Sequence, residues 1–585
     1  MEQINYIHRE KLLLKAFKFH SEGDSIKAEK YYQLFIDKGF TDPRVFSNYA
    51  VILTHKGEIK KAIKLYKKSI ALFPNSPEAY SNLGMIFNDL GKLEEAEFYV
   101  RKAIKIKPNY AEAYLNLGLI FIQFGKLIKA EEYTRKAIEI SPNYCKAYYN
   151  LGTIFKDHGE FIKAEKYTRK AIDINPNDIN SLINLGSILV QDQKYNEAER
   201  YLRKALEINP HFSKAYSNLA SIFIDFGRFN EAEEYLIKAI KYDPYFAKAY
   251  FSLSILKLPK KENFWEKKLF SKEIVENRSN KDLIDIYFAR SNILHYQKNY
   301  YQSEINLSLG NEIKLNLSPS NRIALTKKSK LILEESDQVV IECNKRLDSE
   351  QSIFIVGMPR SGSTLLESII SINSEVEDLG EVNIFEEAFL EWKQTVLIHK
   401  QSSLSNLYFQ KLKSLNINGK ITTNKWLYNY QYTGFILKHI SNAKIIHCFR
   451  NPLDNILSIY RANFAGGNEY ASSLVDCAEV YLDHDLLMSQ YKSRYPGKIY
   501  NLNYDLLVTQ PDIEIRSLIG WLGWDWNEAY LSPNLNNRIV TTASTVQVRS
   551  PINSKSIGGW KNYRAMLEPA IEVICASDKF KDLSS

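Results

Sequence analysis

The residues from Gly357 to Thr364 form the pattern in this chain that most strongly indicates chemistry. They follow an apolar run typical of a buried strand, Ile353 to Val356, and they precede a segment with helical spacing. A strand, a tight loop and a helix start in this order direct free backbone N–H groups and a helix N-terminus at one point, which is an arrangement that binds anions. The sequence therefore predicts a site for a phosphate-like group.

The loop differs from the phosphate-binding loop of nucleoside triphosphatases at one decisive position. The spacing from Gly357 to Gly362 fits that pattern, but Ser363 stands where a lysine contacts the phosphates. A cation, Arg360, lies inside the loop instead. We therefore expect a phosphate-like ligand that is held without the usual magnesium–ATP scheme. A kinase or hydrolase that uses ATP is the alternative, and the missing lysine disfavours it.

A second candidate anion site follows the strand-like run Ala443–Phe449. Asn451 can cap the helix that begins there, and Pro452 suits its first turn. Arg450 and Ser458 flank this helix start, so a guanidinium and a hydroxyl are placed to share one anion. The fork of an arginine side chain suits phosphate oxygens. The sequence thus predicts two anion sites.

From Gln351 onward, strand-like runs alternate with helical segments, which is typical of an α/β domain with a parallel sheet. Ligands of such sheets lie beyond the carboxyl ends of the strands, where both loops fall. The stretch between Glu391 and Asp454 has no Asp or Glu but nine Lys or Arg, among them Lys425. A basic stretch of this kind suits an anionic nucleotide.

The first half of the chain repeats with a period of 34 residues, the length of one helix–turn–helix unit. Three series of residues carry the period: the prolines Pro74, Pro108, Pro142, Pro176, Pro210 and Pro244; the alanines Ala28, Ala62, Ala96, Ala130, Ala164, Ala198 and Ala232; and the glycines Gly84, Gly118, Gly152 and Gly186, with Ala220 in the next place.

These series resemble tetratricopeptide repeats, with seven units that begin near residues 9, 43, 77, 111, 145, 179 and 213. The resemblance implies an all-α superhelix whose concave face binds a protein or peptide; a scaffold or dimerisation surface is the alternative. We predict a repeat array over 1–257 and a degenerate, repeat-like helical connection without chemistry over 258–345. An α/β, P-loop-like domain with a parallel sheet is predicted over 346–585.

Composition sets further limits. The 585 residues suit more than one domain, and no apolar run is long enough for a transmembrane helix. The N-terminus lacks the features of a secretory signal, and the five cysteines have neither zinc-site nor disulfide spacing, so a reducing, cytoplasmic location is expected. The net charge of +9 is concentrated in the repeats, whose interleaved Glu and Lys suit a solvated surface and predict no nucleic-acid partner.

The C-terminal domain resembles the sulfotransferase family, and most closely its protein-tyrosine sulfotransferase branch, over about residues 351–563. The resemblance rests on the loop Pro359–Thr364, the segment from Arg450 to Ser458 and the strand context of both. It implies that the co-substrate is 3′-phosphoadenosine 5′-phosphosulfate and that no metal is required. The loop would hold the 5′-phosphosulfate, and Arg450 with Ser458 would hold the 3′-phosphate.

The resemblance also implies roles for single residues. Glu381 matches the catalytic base, Lys425 the lysine that neutralises the leaving phosphate oxygen, and Ser544 a group that stabilises the transition state. The predicted catalytic residues are thus Glu381, Arg360, Lys425 and Ser544. The predicted cofactor-binding residues are Arg360, Ser361, Gly362, Ser363, Thr364, Arg450, Ser458, Tyr504, Ser544, Thr545, Gln547, Val548, Arg549, Asn553 and Lys561.

Two departures from the branch concern the donor contacts. The branch has a lysine where this chain has Gly559, with Lys561 two residues further on, and an arginine where this chain has Ala462, with Arg461 adjacent. We predict a sulfotransferase acting on a hydroxyl or amine acceptor of open identity: peptide, glycan, lipid or small molecule. The alternative is a non-enzymatic repeat-array adaptor with a degenerate nucleotide domain.

Overall fold

The computed structural model describes residues 2–256, 264–338, 351–397, 403–415, 417, 420–464, 466–536, 538–540, 542 and 544–584. The chain divides into two compact units, residues 1–218 and 219–585. The domain limits predicted near residues 257 and 345 lie outside the described residues. These limits therefore stay a prediction.

The first unit consists of paired helices. From residue 43 onward the first helix of each pair begins where the 34-residue period places it, whereas the first helix of the chain begins at Glu2 and not near residue 9. Its helices are α1 (Glu2–Ser21), α2 (Ser25–Asp37), α3 (Pro43–His55), α4 (Ile59–Leu72), α5 (Pro77–Asp89), α6 (Leu93–Ile106), α7 (Ala111–Gln123), α8 (Leu127–Ile140), α9 (Cys145–Asp157), α10 (Phe161–Ile174), α11 (Ile179–Gln191) and α12 (Tyr195–Ile208), and α13 (Ser213–Asp225) spans the limit between the units.

The small residues of the repeat hold the two helices of a pair close together. A Cβ atom on Gly84 of α5 would lie 2.6 Å from Val100 Cγ2 and 3.1 Å from Ala96 O of α6. Ala96 itself is fully buried. Gly91, between the helices, has a φ of +72°, which favours glycine. The close approach of α5 and α6 therefore explains the small residues at these places of the repeat.

Replacing Gly84 with valine tests this close approach. Because the added atoms would overlap Val100 and the backbone of α6, we expect Gly84→Val to lower the free energy of unfolding by about 1–3 kcal/mol. Urea denaturation followed by circular dichroism would measure the change. The matched control is Glu94→Val, an exposed position of α6, with an expected change near zero. Equal stability of the two variants would contradict the packing described.

The second unit continues with helices and then changes to an α/β domain. Its helices before the sheet are α14 (Phe229–Tyr242), α15 (Ala247–Leu256), α16 (Phe264–Leu269), α17 (Asn280–Tyr296), α18 (Tyr300–Leu317) and α19 (Arg322–Gln338). Helices α17 and α18 pack against each other. Helix α15 packs against α17, so the last described array helix meets this pair.

The α/β domain is built on five parallel strands in the order β2-β3-β1-β4-β5. Their bounds are β1 (Gln351–Gly357), β2 (Val376–Asp378), β3 (Ile421–Asn424), β4 (Ala443–Phe449) and β5 (Ile499–Asn503). The predicted parallel sheet is confirmed. All residues of β1 after Gln351 are buried, which explains its continuous apolar run.

Helices surround this sheet and carry the loops at its carboxyl edge. They are α20 (Ser363–Ile370), α21 (Ile384–Leu397), α22 (Leu404–Ser414), α23 (Thr433–His439), α24 (Pro452–Tyr460), α25 (Leu474–Arg494), α26 (Tyr504–Thr509), α27 (Pro511–Leu522), α28 (Thr545–Val548) and α29 (Arg564–Cys575), with short 3₁₀ turns between them. In the parts of the chain described above, no helix is long and apolar enough to cross a membrane.

Candidate functional site

The loop between β1 and α20 passes so close to its neighbours that two positions require glycine. Gly357 has a φ of +152°, and a Cβ there would lie 2.3 Å from the carbonyl oxygen of Cys448 on β4. Gly362 has a φ of +95°, and a Cβ there would lie 2.2 Å from the Tyr504 ring. The loop is thereby fixed against β4 and the start of α26, with the N-terminus of α20 directed over the strand ends.

Arg360 links three segments that the sequence assigned to one site. Its Nε donates to Ser458 Oγ at 3.1 Å, its Nη1 to Ser544 Oγ at 2.5 Å and its Nη2 to Gln547 Oε1 at 3.0 Å. Its backbone has a φ of +67°, a left-handed conformation that costs free energy in a non-glycine residue. The loop, α24 and the segment before α28 therefore meet at this guanidinium.

Arg450 ends β4 beside the same loop. Its Nη2 donates to the carbonyl oxygen of Ser556 at 3.0 Å, and its guanidinium lies 4.8 Å from the centre of the Tyr504 ring. The hydroxyl of Tyr504 in turn bonds Ser556 Oγ at 3.1 Å. The nearest oxygen of Asp454 is 4.0 Å from Arg450, and this carboxylate accepts the backbone N–H of Trp560 at 2.9 Å.

The helix start after Arg450 has the cap that the sequence predicted. The side chain of Asn451 accepts from the backbone N–H groups of Leu453 and Asp454, and Pro452 occupies the first turn of α24. The backbone N–H of Asn451 donates to Asp505 Oδ2 at 2.8 Å. Ser458 lies on the same helix, which explains how it reaches Arg360.

Positive charge is concentrated in the site, because the guanidinium groups of Arg360 and Arg450 lie close enough to affect each other. Burial and the charge of Arg450 lower the pKa of Arg360 to about 10. Among the described residues, the buried donors Ser361 Oγ and Arg450 Nε have no hydrogen-bond partner. Crowded guanidinium groups and unpaired donors are costly unless a ligand satisfies them. The arrangement fits a polyanion with phosphate-like groups.

Glu381 and Lys425 meet at the neighbouring strand ends. Asp378 of β2 pairs with Thr423 of β3, and Lys425 N donates to Gly380 O at 2.9 Å, so the two segments leave the sheet together. Lys425 Nζ then lies 2.8 Å from Glu381 Oε1. The lysine is fully buried, whereas the Glu381 side chain is 49% exposed. A carboxylate open to an incoming molecule thus touches a buried ammonium.

Two further charged residues complete this group, and the sequence interpretation missed both. Glu367 on α20 is buried and lies 3.5 Å from Lys425 Nζ through its Oε2, which also accepts from Arg538 Nη2 at 2.8 Å. Arg538 also pairs with Asp378. A lone carboxylate among the apolar residues of α20 was the available signal for Glu367. Arg538 is separated from its partners by more than 150 residues, so no local pattern marks it.

Of the other residues predicted to bind the nucleotide, some lie near Arg360 and some do not. Thr364 Oγ1 is 3.3 Å from Thr542 Oγ1, Thr545 bonds Val540 O at 2.9 Å, and Ser363 and Val548 are buried. The structure does not bring the next residues to Arg360. Arg549 donates to the carbonyl oxygens of Asn536 and Asp225, Asn553 bonds Pro551 O, and Lys561 is exposed on a 3₁₀ turn. Their nucleotide contacts stay predictions.

Within the described residues, no group of three or more His, Cys, Asp or Glu side chains is placed to hold a metal ion.

Comparisons with known proteins match two parts of the chain, the repeats and the C-terminal domain. Residues 352–528 match the sequence model of the sulfotransferase family. Models of tetratricopeptide repeats match residues 52–91, 77–110, 111–144, 145–178 and 189–253.

Individual relatives cover parts of the chain. An uncharacterised protein of Aquifex aeolicus is 33% identical over 255 residues, and the match spans 40% of this chain and only a third of that relative. A Caenorhabditis briggsae protein, provisionally named a protein-tyrosine sulfotransferase, is 24% identical over 36% of this chain and 81% of its own length. A crystal structure of a tetratricopeptide repeat protein from Parabacteroides merdae is 19% identical, covering 40% of this chain and 93% of that one, with a TM-score of 0.35.

Proposed function

We propose that this chain, a tetratricopeptide-repeat protein with a C-terminal domain of the sulfotransferase family, transfers a sulfuryl group from 3′-phosphoadenosine 5′-phosphosulfate to a hydroxyl or amine. The observation that carries the proposal is the pair Arg360 and Arg450. Both converge on one buried region at the carboxyl edge of the sheet, beside donors that no described residue satisfies. A nucleotide with separate 5′ and 3′ anionic groups would satisfy both guanidinium groups.

The donor would be held by the two anion sites. The first turn of α20 leaves backbone N–H groups free for the 5′-phosphosulfate, with Arg360 above them. Arg450 and Ser458 would hold the 3′-phosphate. The hydrogen bonds that Arg360 now donates to the neutral hydroxyls of Ser458 and Ser544 could be exchanged for bonds to phosphate oxygens, in which both the donor and the acceptor are charged.

The donor supplies a sulfuryl group whose bond to the 5′-phosphate oxygen breaks as the acceptor oxygen bonds to sulfur. Glu381 is placed to take the acceptor proton, because its carboxylate is half-exposed beside the buried Lys425. Lys425 would then turn from Glu381 towards the leaving oxygen, where its charge stabilises the developing negative charge. Ser544, whose hydroxyl accepts a hydrogen bond from Arg360, would donate a hydrogen bond to a sulfuryl oxygen in the transition state.

The repeats supply the proposed partner surface. Tetratricopeptide repeats match much of residues 52–253, and we propose that their concave face binds the acceptor or a partner protein or peptide. The name of the Caenorhabditis relative supports sulfuryl transfer as the reaction class. The location that we propose is the cytoplasm.

A transfer assay tests the proposed reaction. Protein is incubated with 3′-phosphoadenosine 5′-phospho-[³⁵S]sulfate and a panel of tyrosine peptides, glycans, phenols and amines. We expect label in at least one acceptor class and an equal amount of released 3′-phosphoadenosine 5′-phosphate. Turnover of ATP with magnesium, together with no use of the sulfate donor, would replace this proposal with an ATP-dependent one.

A further inference from the structure

The helix pair α17–α18 forms hydrogen bonds with the end of α24, the helix that carries Ser458, and with the turn after it. Asn311 donates to Tyr460 O at 3.0 Å, and Lys314 donates to Phe464 O at 3.0 Å. Asn463 donates to Asp285 Oδ1 at 3.0 Å. These contacts join helices that precede the α/β domain to the turn directly after a predicted donor-binding helix.

A fourth contact, between α17 and the end of α24, involves the charged side chain of Arg461. Arg461 Nη1 lies 3.0 Å from His295 Nε2, at the C-terminal end of α17. A guanidinium can only donate, so Nε2 must be the accepting nitrogen and His295 carries its proton on Nδ1. That Nδ1 lies 2.8 Å from the hydroxyl of Tyr563. The hydroxyl is 3.0 Å from Ser303 Oγ, which donates to Ser291 O at 2.9 Å.

Every bond in this series therefore has one consistent direction. Arg461 donates to His295, His295 to Tyr563, Tyr563 to Ser303 and Ser303 to the backbone of α17. Ser303 is fully buried, and Tyr563 is 1% exposed. The series fixes both the tautomer and the ring of His295, and through them the direction of the guanidinium.

Arg461 belongs electrostatically to the anion site. It follows Ser458 by three residues, which places both on one face of the helix end. Its charge acts with burial and Arg450 to lower the pKa of Arg360. Its Nε is buried and has no hydrogen-bond partner among the described residues. Burial lowers the pKa of Arg461, and the neighbouring tyrosines Tyr563, Tyr296 and Tyr300 act in the opposite direction.

We infer that His295 is a positioning residue for donor binding, holding Arg461 towards the nucleotide anion from a helix outside the sulfotransferase match. This inference rests on the proposed function. It assigns a role to the helical connection for which the sequence predicted none, because it makes α17 and α18 part of the donor site. The described array helix α15, which packs on α17, is then one helix away from a donor-binding arginine.

Calorimetric binding of 3′-phosphoadenosine 5′-phosphate tests the inference on the full chain. We expect His295→Phe, which keeps a flat ring but cannot accept a hydrogen bond, to weaken binding about tenfold. His295→Gln, whose amide oxygen can accept from Arg461, should restore affinity to within about threefold of the wild type. Tyr563→Phe, which removes the hydroxyl that fixes the tautomer, should weaken binding by an intermediate factor.

A double-mutant cycle separates positioning from general damage. In the Arg461→Ala background, His295→Phe should cause no further loss of affinity, because the contact through which His295 is proposed to act on the ligand is gone. Tyr301→Phe, at an exposed position of α18, is the control and should bind like the wild type. Thermal melting identifies a variant that fails to fold. If His295→Phe does not fold, the affinities of His295→Gln and Tyr563→Phe decide whether His295 positions Arg461.

The outcomes distinguish the inference from the function on which it rests. If the wild type binds the nucleotide and a folded His295→Phe binds equally well, the inference is wrong and the proposed function stands. Additive losses in the cycle would also overturn it. If the wild type does not bind the nucleotide, both fail together.

Discussion

Glu381→Gln is expected to lower kcat for sulfuryl transfer by about 10²–10⁴-fold, the usual contribution of a general base. The amide has nearly the same shape but cannot take the acceptor proton. Binding of 3′-phosphoadenosine 5′-phosphate should change little, because the Glu381 side chain is half-exposed and is not one of the residues proposed to hold the nucleotide. Steady-state transfer rates and calorimetry on the same preparation would measure the two effects.

The matched control is Glu375→Gln, a change of the same kind in an exposed carboxylate that pairs with Lys420 near the start of β2. It should leave both kcat and nucleotide binding unchanged. A Glu381→Gln variant that keeps kcat within about threefold of the wild type would assign the base to another group. Loss of nucleotide binding by the same variant would instead make Glu381 a structural residue of the donor site.

Lys425→Met should have the second largest effect, a loss of about 10²–10³-fold in kcat, because it removes the ammonium proposed to stabilise the leaving oxygen. No other described ammonium pairs with Glu381 and could replace it. Methionine fills a similar volume without the charge. The variant should also be less stable, since Glu367 would lose one of its two cationic partners in a buried position. Thermal melting and transfer kinetics measured in parallel would record both results.

Lys420→Met, at a side chain that is 78% exposed, is the control for the loss of an ammonium in the same segment. Glu367→Gln separates the stability effect from the chemical one, because it weakens the buried ion-pair group and leaves the ammonium in place. We expect it to destabilise the fold more than it slows transfer. An unchanged kcat in folded Lys425→Met would contradict the role assigned to the lysine.

Local sequence patterns were sufficient for the repeats and for the strand ends. The 34-residue period places the helix starts at Pro43, Pro77 and Ala111, because small residues recur at that spacing and those at Gly84 and Gly118 lie close to the next helix. The strand-like run Ala443–Phe449 is β4, and Asn451 caps the next helix. These features depend on contacts within one repeat or one strand–loop–helix unit, so a single segment contains the necessary information.

The interactions that join distant segments were not visible in the sequence. Glu367, Arg538 and His295 act through partners far along the chain, and only the folded sheet and its covering helices bring them together. The left-handed backbone of Arg360 was also unforeseen, since the pattern around it suggests only a glycine-rich turn. Arg549 shows the reverse case, a basic residue in a matching segment whose guanidinium is directed to backbone carbonyls.

We expect the α/β domain to bind a 3′-phosphorylated adenosine nucleotide through Arg360 and Arg450. Calorimetric titration of the wild type with 3′-phosphoadenosine 5′-phosphate, with ATP as the competitor and Arg450→Ala as the variant, tests it most directly. We predict a Kd on the order of 1 µM for the wild type, a loss of at least about a hundredfold in Arg450→Ala, and weak binding of ATP. A wild type that prefers ATP, or that binds neither nucleotide, would contradict the claim.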